Sequence, residues 1–211
     1  QSMAVALAFD TGSLYMGINA VDDTHQNPGS GWNGDTLQIA FKNAALHAAA
    51  SNMILYNYGL NEDGVTATVH HQRHPCPDDS DCTEVSMMRY EDTTTTVYEI
   101  KIPARGLGVD RLSDGMAMGF GMCLNDGDTE AGQGGQKGWT GWGPYSIVYG
   151  KNSPACGLIT ISGESVPGTT LSTFVPTEYK QDQIDAAGGE NADLAYNVYS
   201  ALITVDAVLD D

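Results

Sequence analysis

The sequence predicts an all-β fold: a two-sheet antiparallel β-sandwich of jelly-roll type with a short, partly helical C-terminal appendage. Short stretches in which apolar and polar residues alternate recur along the chain. Turn residues separate them at intervals of about 8–12 residues, which is typical of sandwiches and barrels. Before residue 170 only the alanine-rich segment Ala44–Ala50 has helical character, and it is too short to be stable alone.

Each predicted strand has a recognisable pattern and boundary. In the second, residues Leu14, Met16 and Ile18 fall on one face. The segment 10–13 predicts a hairpin turn before it, and 91–93 predicts another. The predicted strands are Ala4–Phe9, Leu14–Val21, Thr36–Phe41, Asn52–Tyr58, Gly64–His71, Val85–Tyr90, Thr95–Ile102, Gly115–Leu124, Tyr145–Tyr149 and Gly157–Ser162.

The chain divides into a sandwich over residues 1–167 and a linker with a C-terminal appendage over residues 168–211. The total of 211 residues suits about one domain with an appendage. Within the appendage we predict a helix at Ala192–Tyr199, followed by an apolar run at Ala201–Leu209. This segment either packs on the sandwich or joins it to further domains or subunits.

Charge excludes two classes of partner. The chain has 27 acidic and 9 basic residues, a net charge of -18. Such a surface repels nucleic acid and anionic membranes, so we expect neither as a partner, whereas neutral ligands and cations remain compatible. No apolar stretch approaches the ~20 residues of a membrane helix. The chain begins at Gln1, which we interpret as a processed or excised product.

The four cysteines favour disulfides and a secreted, extracellular protein. Cys76 and Cys82 bracket a short polar loop, whereas Cys123 and Cys156 lie in strand-like runs. Four cysteines allow three pairings, and we expect all four to be in disulfides. A zinc site formed with the histidines before Cys76 is the weaker alternative, because the spacing matches no common zinc pattern.

All three tryptophans lie in glycine-flanked, loop-like segments: Trp32, Trp139 and Trp142. Loops lie on the surface, so we expect an indole to face solvent or a ligand. An indole stacks on the face of a sugar ring, while polar neighbours such as Asp35 and Gln38 can bind its hydroxyls. The alternative is that Trp32 caps the core.

Two acidic segments are candidates for a calcium site, because calcium prefers several oxygen ligands. One is 125–130, with alternating Asp126 and Asp128, and the other is the pair Asp22 and Asp23. Solvated acidic turns are the alternative for both.

No nucleophile motif is present, so we expect no enzyme activity, although residue type alone does not exclude a glycosidase.

The ordered set of motifs resembles the family 9 carbohydrate-binding modules and the related DOMON-like sandwiches over residues 4–162. The motifs that carry the resemblance are 9–10, 12–17, 21–23, 32–38, 97–103, 125–128 and 150–159. The resemblance implies a two-sheet sandwich with structural calcium, in which a sugar lies between two tryptophans.

The resemblance also implies roles for individual residues. Trp32 is similar to the first of the two tryptophans, Trp139 or Trp142 is similar to the second, and Gln38 takes the position of a polar sugar-binding residue. Plausible polar neighbours of the sugar are Asn125 and Gln136.

Asp126 and Asp128 are similar to a family calcium turn. The family's opening segment, which carries further metal ligands, is missing or diverged here, and the insertion at 70–82 has no family counterpart.

We therefore expect a non-catalytic, extracellular carbohydrate-binding module for a neutral polysaccharide or oligosaccharide. The first alternative is a structural module that assembles an extracellular layer or filament through 168–211. The second is a haem-binding, DOMON-like electron carrier, since methionine and histidine are haem ligands.

Overall fold

A computed structural model of the chain describes residues 1–27, 34–43, 53–65, 67–72, 75–76, 82–127, 138–143, 146–148, 151, 156–162 and 195–200. Within these ranges the regular secondary structure is almost entirely β-strand, with a short 3₁₀ helix at Ala104–Leu107. The strands β1 to β11 are, in order, Ser2–Phe9, Ser13–Val21, Leu37–Asn43, Met53–Leu60, Ala67–Gln72, Glu84–Tyr90, Thr95–Pro103, Ala117–Asp126, Gly138–Trp142, Gly157–Ser162 and Ala195–Ser200.

The strands form two antiparallel sheets that face each other as a sandwich. The first sheet has the order β5-β4-β3-β8-β10, and the second has the order β1-β2-β7-β6. One edge of β8 pairs with β10 along 117–120 and with β9 along 122–126. β11 runs parallel to both β10 and β1 and bridges the two sheets. This architecture confirms the predicted all-β, two-sheet sandwich.

Local turn chemistry fixes the hairpins of the second sheet. Asp10 starts the β1–β2 turn, where its carboxylate accepts the N–H groups of Gly12 and Ser13, both at 2.7 Å. Its other oxygen accepts the Tyr15 hydroxyl at 2.8 Å. The β6–β7 turn at 91–94 contains Thr94 in the left-handed region, with φ 52°. Both turns lie where the turn residues predict them.

The main core lies between the two sheets, where one face of each strand is buried. The largest fully buried side chains include Tyr56, Tyr58, Tyr98 and Phe41. The first sheet is also buried on its other face, since every residue of β4 is buried. A second apolar cluster covers that outer face, and it consists of Ala40, Met53, Leu55, Cys123, Ile147 and Cys156.

Three predictions of local structure are wrong. Residues 195–199 of the predicted helix Ala192–Tyr199 belong to the strand β11, which pairs in register with β10. Residues 138–142, predicted as a loop, form β9. Residues 146–148, predicted as a strand, form a turn in which the Ser146 N–H donates to the Gly143 carbonyl at 3.1 Å. The predicted helix Ala44–Ala50 lies outside the described residues, and the domain boundary at 167 stays a prediction.

The disulfide prediction is half correct. Cys76 and Cys82 form a disulfide with a Cα–Cα distance of 5.5 Å. Cys123 and Cys156 are free, buried thiols, so their assignment to disulfides is wrong. Burial raises the pKa of the Cys123 thiol to about 12 and that of the Cys156 thiol to about 11. Both behave as small apolar residues in the second cluster.

In the part of the chain that the structure describes, no helix combines the length and apolar character that are needed to cross a membrane.

Candidate functional site

The outer face of the first sheet carries a row of amide side chains. Gln38 of β3 lies between Asn57 of β4 and Cys123 of β8 in the strand register. Residues opposite each other in antiparallel strands share a face, so these three side chains are neighbours. Each lies on the face opposite to the main core, where the second apolar cluster also lies.

Two of these amides are hydrogen-bonded to each other. Gln38 Nε2 donates to Asn57 Oδ1 at 2.8 Å, and the two residues are 4% and 2% exposed. Buried amides need partners, because an unsatisfied buried polar group costs about 1–3 kcal/mol. Gln38 was predicted from the sequence as a site residue, whereas Asn57 was not. The available signal was that Asn57 is the only amide in the otherwise apolar and aromatic strand β4.

Asn125 extends the row towards β9. Its side chain is fully buried, and its Oδ1 accepts the Cys123 thiol at 3.3 Å. In the register of β8 and β9, Asn125 lies opposite Trp139. The predicted pair Gln38 and Asn125 therefore lies on one face of one sheet, together with Trp139.

Trp139 and Trp142 lie on opposite faces of β9, because they are three residues apart in a strand. Trp142 faces the main core and packs against Phe120 with ring centroids 5.5 Å apart. Trp139 is partly buried and packs against the second cluster on the outer face. The prediction that these tryptophans lie in a loop is wrong, and only Trp139 shares a face with the amide row.

Three carboxylates converge at the end of the sandwich where β2 ends and β3 begins. Asp22 follows β2, Asp35 precedes β3, and Asp126 is the last residue of β8. One oxygen from each lies within 4.8 Å of the others, and Asp22 and Asp35 are buried. We call these three residues the carboxylate cluster.

Backbone N–H groups hold the Asp35 carboxylate in place. Oδ2 accepts the N–H of Gln26 and Oδ1 accepts the N–H of Gly127, both at 2.6 Å. Chain segments approach closely here, since a Cβ on Gly127 would lie 2.6 Å from the Gly34 Cα. The sequence prediction assigned Asp35 to the sugar, but the structure places it with Asp22 and Asp126.

His25 adds a polar contact behind Asp35. Its Nδ1 lies 3.5 Å from Asp35 Oδ2, and its Nε2 lies 2.8 Å from the Leu60 carbonyl oxygen. Burial alone lowers the pKa of His25, but the hydrogen bond and charge of Asp35 and the Leu60 carbonyl outweigh burial. The pKa of His25 is therefore above its usual value, which favours the imidazolium beside this carboxylate.

The cluster has the donor chemistry of a site for a hard cation. Carboxylate oxygens are ligands that calcium prefers, and three of them in close contact repel one another unless positive charge is near. The Gln1 amide lies against the same cluster, where Nε2 donates to Asp22 Oδ2 at 2.7 Å and to the Asn125 carbonyl at 3.0 Å.

Comparison with known proteins identifies the family. Residues 2–159 match the model of the carbohydrate family 9 binding domain-like family. The chain belongs to this family. This family 9 domain is also similar to two structures of a family 9 carbohydrate-binding module from Caldicellulosiruptor kristjanssonii. No curated protein matches the chain.

The two similar structures hold different saccharides. The module in complex with glucose has 17% sequence identity and a TM-score of 0.58, with 78% of each chain covered. The module in complex with cellotriose has 16% identity and the same TM-score of 0.58, with 83% of this chain and 81% of the other covered. At this level of identity the likeness shows the shared fold.

The remaining predicted site residues of this family 9 domain fall in two groups. Asp23 is exposed and lies outside the carboxylate cluster, although it follows Asp22 directly. The other three lie outside the described residues: Trp32, Gln136 and Asp128.

Proposed function

We propose that this family 9 domain is a non-catalytic, extracellular module that binds a neutral saccharide on the outer face of its first sheet. Trp139 carries this proposal, because it is partly exposed on the same face as the amides Gln38 and Asn57, which are buried and hydrogen-bonded to each other. An apolar wall with a few placed polar groups is the usual construction of a small-ligand site. Amides donate and accept hydrogen bonds without charge, which suits sugar hydroxyls.

We assign Trp139, from the late part of the chain, as one wall of the saccharide site. It shares the outer face with Asn125, whereas Trp142 belongs to the main core. From the sequence, Trp32 is the candidate for the facing wall, since it precedes β3, the strand that carries Gln38. A sugar ring would then stack between the indoles of Trp32 and Trp139.

The carboxylate cluster would hold a structural calcium ion. Asp22, Asp35 and Asp126 supply the oxygen ligands, and they come from the ends of three strands. A bound cation would neutralise their mutual repulsion and join these strand ends together. The ion would thereby stabilise the fold beside the saccharide site.

Titration with glucose and with cellotriose tests the saccharide proposal, because related structures hold these two saccharides. Trp139→Ala removes the stacking surface, and we expect it to weaken binding by at least about tenfold in calorimetric titration. We expect Gln38→Ala to weaken binding as well, because Asn57 loses one of its hydrogen bonds on the face that it shares with Trp139.

Trp142→Phe is the matched control, because it changes the indole that faces the core and leaves the outer face intact. We expect its affinity to equal that of the unmodified protein. Equal affinities for Trp139→Ala and the unmodified protein would contradict the proposed site.

A further inference from the structure

Arg89 carries a buried positive charge in strand β6. Its side chain is only 2% exposed, and Nε lies 3.4 Å from Oε2 of Glu91, a side chain that is 77% exposed. An ion pair with so exposed a partner is screened by water and contributes little. A buried guanidinium is costly unless hydrogen bonds satisfy it, so its other contacts must account for its position.

Those contacts lead to the carboxylate cluster. Arg89 NH2 donates to the main-chain carbonyl of Asp22 at 2.8 Å. NH1 donates to the Thr94 carbonyl at 3.0 Å and to the Thr96 hydroxyl at 3.4 Å. The guanidinium therefore joins the end of β2 to the turn of the β6–β7 hairpin.

The same turn also holds the other side of Asp22. The Asp22 N–H donates to the Thr94 carbonyl at 2.9 Å, so this carbonyl accepts from both Asp22 and Arg89. Thr94 adopts the left-handed conformation that few non-glycine residues adopt. The peptide groups on both sides of Asp22 are therefore fixed by the hairpin, which sets where its carboxylate points.

Arg89 is also in electrostatic reach of this end of the core. Burial raises the pKa of the Tyr98 hydroxyl, the charges of Asp35 and Asp22 raise it further, and the charge of Arg89 lowers it. The N–H groups of Gln26 and Gly127 donate to the Asp35 carboxylate, whereas Arg89 donates to the main-chain carbonyl of Asp22.

We propose that Arg89 is a positioning residue for the cation site formed by Asp22, Asp35 and Asp126. This inference rests on the proposed calcium site. Arg89 would not contact the cation itself, and it acts by holding the main chain of Asp22 in the arrangement that brings the three carboxylates together. Residues that orient metal ligands from behind typically change metal affinity by about 10–100-fold when they are replaced.

Calcium titration of the full chain tests the inference, with calorimetry and the calcium-dependent rise in melting temperature as readouts. We expect Arg89→Met to weaken calcium binding by about tenfold or more. Arg89→Lys keeps the charge but loses the fork of donors, and we expect it to recover only part of the affinity. Lys101→Met is the control, because it removes a partly exposed cation of the same hairpin, paired to Glu84 at 2.8 Å.

The outcomes separate the inference from the site on which it rests. No calcium binding by the unmodified protein overturns both. Calcium binding that Arg89→Met leaves unchanged, with melting temperatures lowered equally with and without calcium, overturns the role of Arg89 alone. If Arg89→Met does not fold, Arg89→Lys decides: affinity equal to that of the unmodified protein overturns the inference, and weakened affinity supports it.

Discussion

At the scale of single residues, burial changes the chemistry of two cysteines. Cys123 and Cys156 lie in the second apolar cluster, and their thiols have pKa values raised to about 12 and about 11. The reactive form of cysteine is the thiolate, so a buried thiol with a raised pKa is inert. This contrasts with Cys76 and Cys82, which form a disulfide within the main core.

We expect native protein to react slowly with a thiol reagent at pH 8 and unfolded protein to expose two thiols per chain. Because folding raises both pKa values above 9.0, the unfolded state releases these protons first. Their contribution to stability is complete below about pH 9 and declines as the pH rises towards 11.

Thiol counting with Ellman's reagent, with and without denaturant, checks the number of free thiols, and denaturant unfolding between pH 8 and pH 10 checks the decline in stability. A Cys123→Ala, Cys156→Ala double variant should lose that part of the pH dependence. No free thiol in the unfolded, unreduced chain would contradict the structure.

At the scale of elements, β9 matters because it presents Trp139. The strand lies tightly against β8, and a Cβ on Gly141 would collide with the Met122 carbonyl oxygen. Gly138 in the same strand has open space around it, because a Cβ at this position would have no neighbouring atom within 4 Å. Close packing of β9 against β8 therefore requires glycine at position 141, whereas position 138 has room for a side chain.

We expect Gly141→Ala to push β9 away from β8 and lower the free energy of unfolding by about 1–3 kcal/mol. Binding of cellotriose should weaken as well, because Trp139 moves with the strand. Urea denaturation and titration measure the two effects. Gly138→Ala should change neither, and equal behaviour of the two variants would contradict the close contact of β9 with β8.

The elements also show what sequence patterns can predict. Strands with apolar–polar alternation and clear turns, such as β2 and β7, were predicted within one or two residues. β9 was missed because Gly138 and Gly141 are typical of loops, and its pairing depends on β8, which is distant in sequence. β11 was missed because its segment also suits a helix, and the partners β1 and β10 decide its structure.

The site shows the same limit. Gln38 and Trp139 could be selected by residue type and Asn125 through the family resemblance, and the register explains why they share a face. Of the carboxylate cluster, Asp22 and Asp126 were predicted as calcium ligands, together with Asp23 and Asp128, and that role stays a prediction. Asp35 was assigned elsewhere because no local pattern reveals that the start of β3 meets the ends of β2 and β8.

At the scale of the whole molecule, the net charge of -18 opposes compaction. Like charges repel across the surface, and salt screens that repulsion, with a screening length of about 30 Å at 0.01 M and about 8 Å at 0.15 M ionic strength. A neutral ligand carries no charge to be screened, so its binding affinity should not change with salt concentration.

We expect the melting temperature to rise as sodium chloride increases from about 0.01 M to about 0.15 M, because screening relieves self-repulsion. Affinity for glucose or cellotriose should stay constant over the same range. Differential scanning calorimetry and titration at both salt concentrations check the two statements. A fall in melting temperature with salt would show that attractive ion pairs dominate instead.

The parallel pairing of β11 has a consequence for the order in which the chain acquires structure during synthesis. Tyr199 lies opposite Ala8, and Ser200 lies opposite Phe9, so residues that are very far apart in the sequence pair there. A nascent polypeptide leaves the ribosome with its earliest residues first, so β1 and β10 emerge before the strand that will join them. Pairing between residues so distant in sequence slows folding. The edges of β1 and β10 that pair with β11 stay unpaired until translation has passed residue 200.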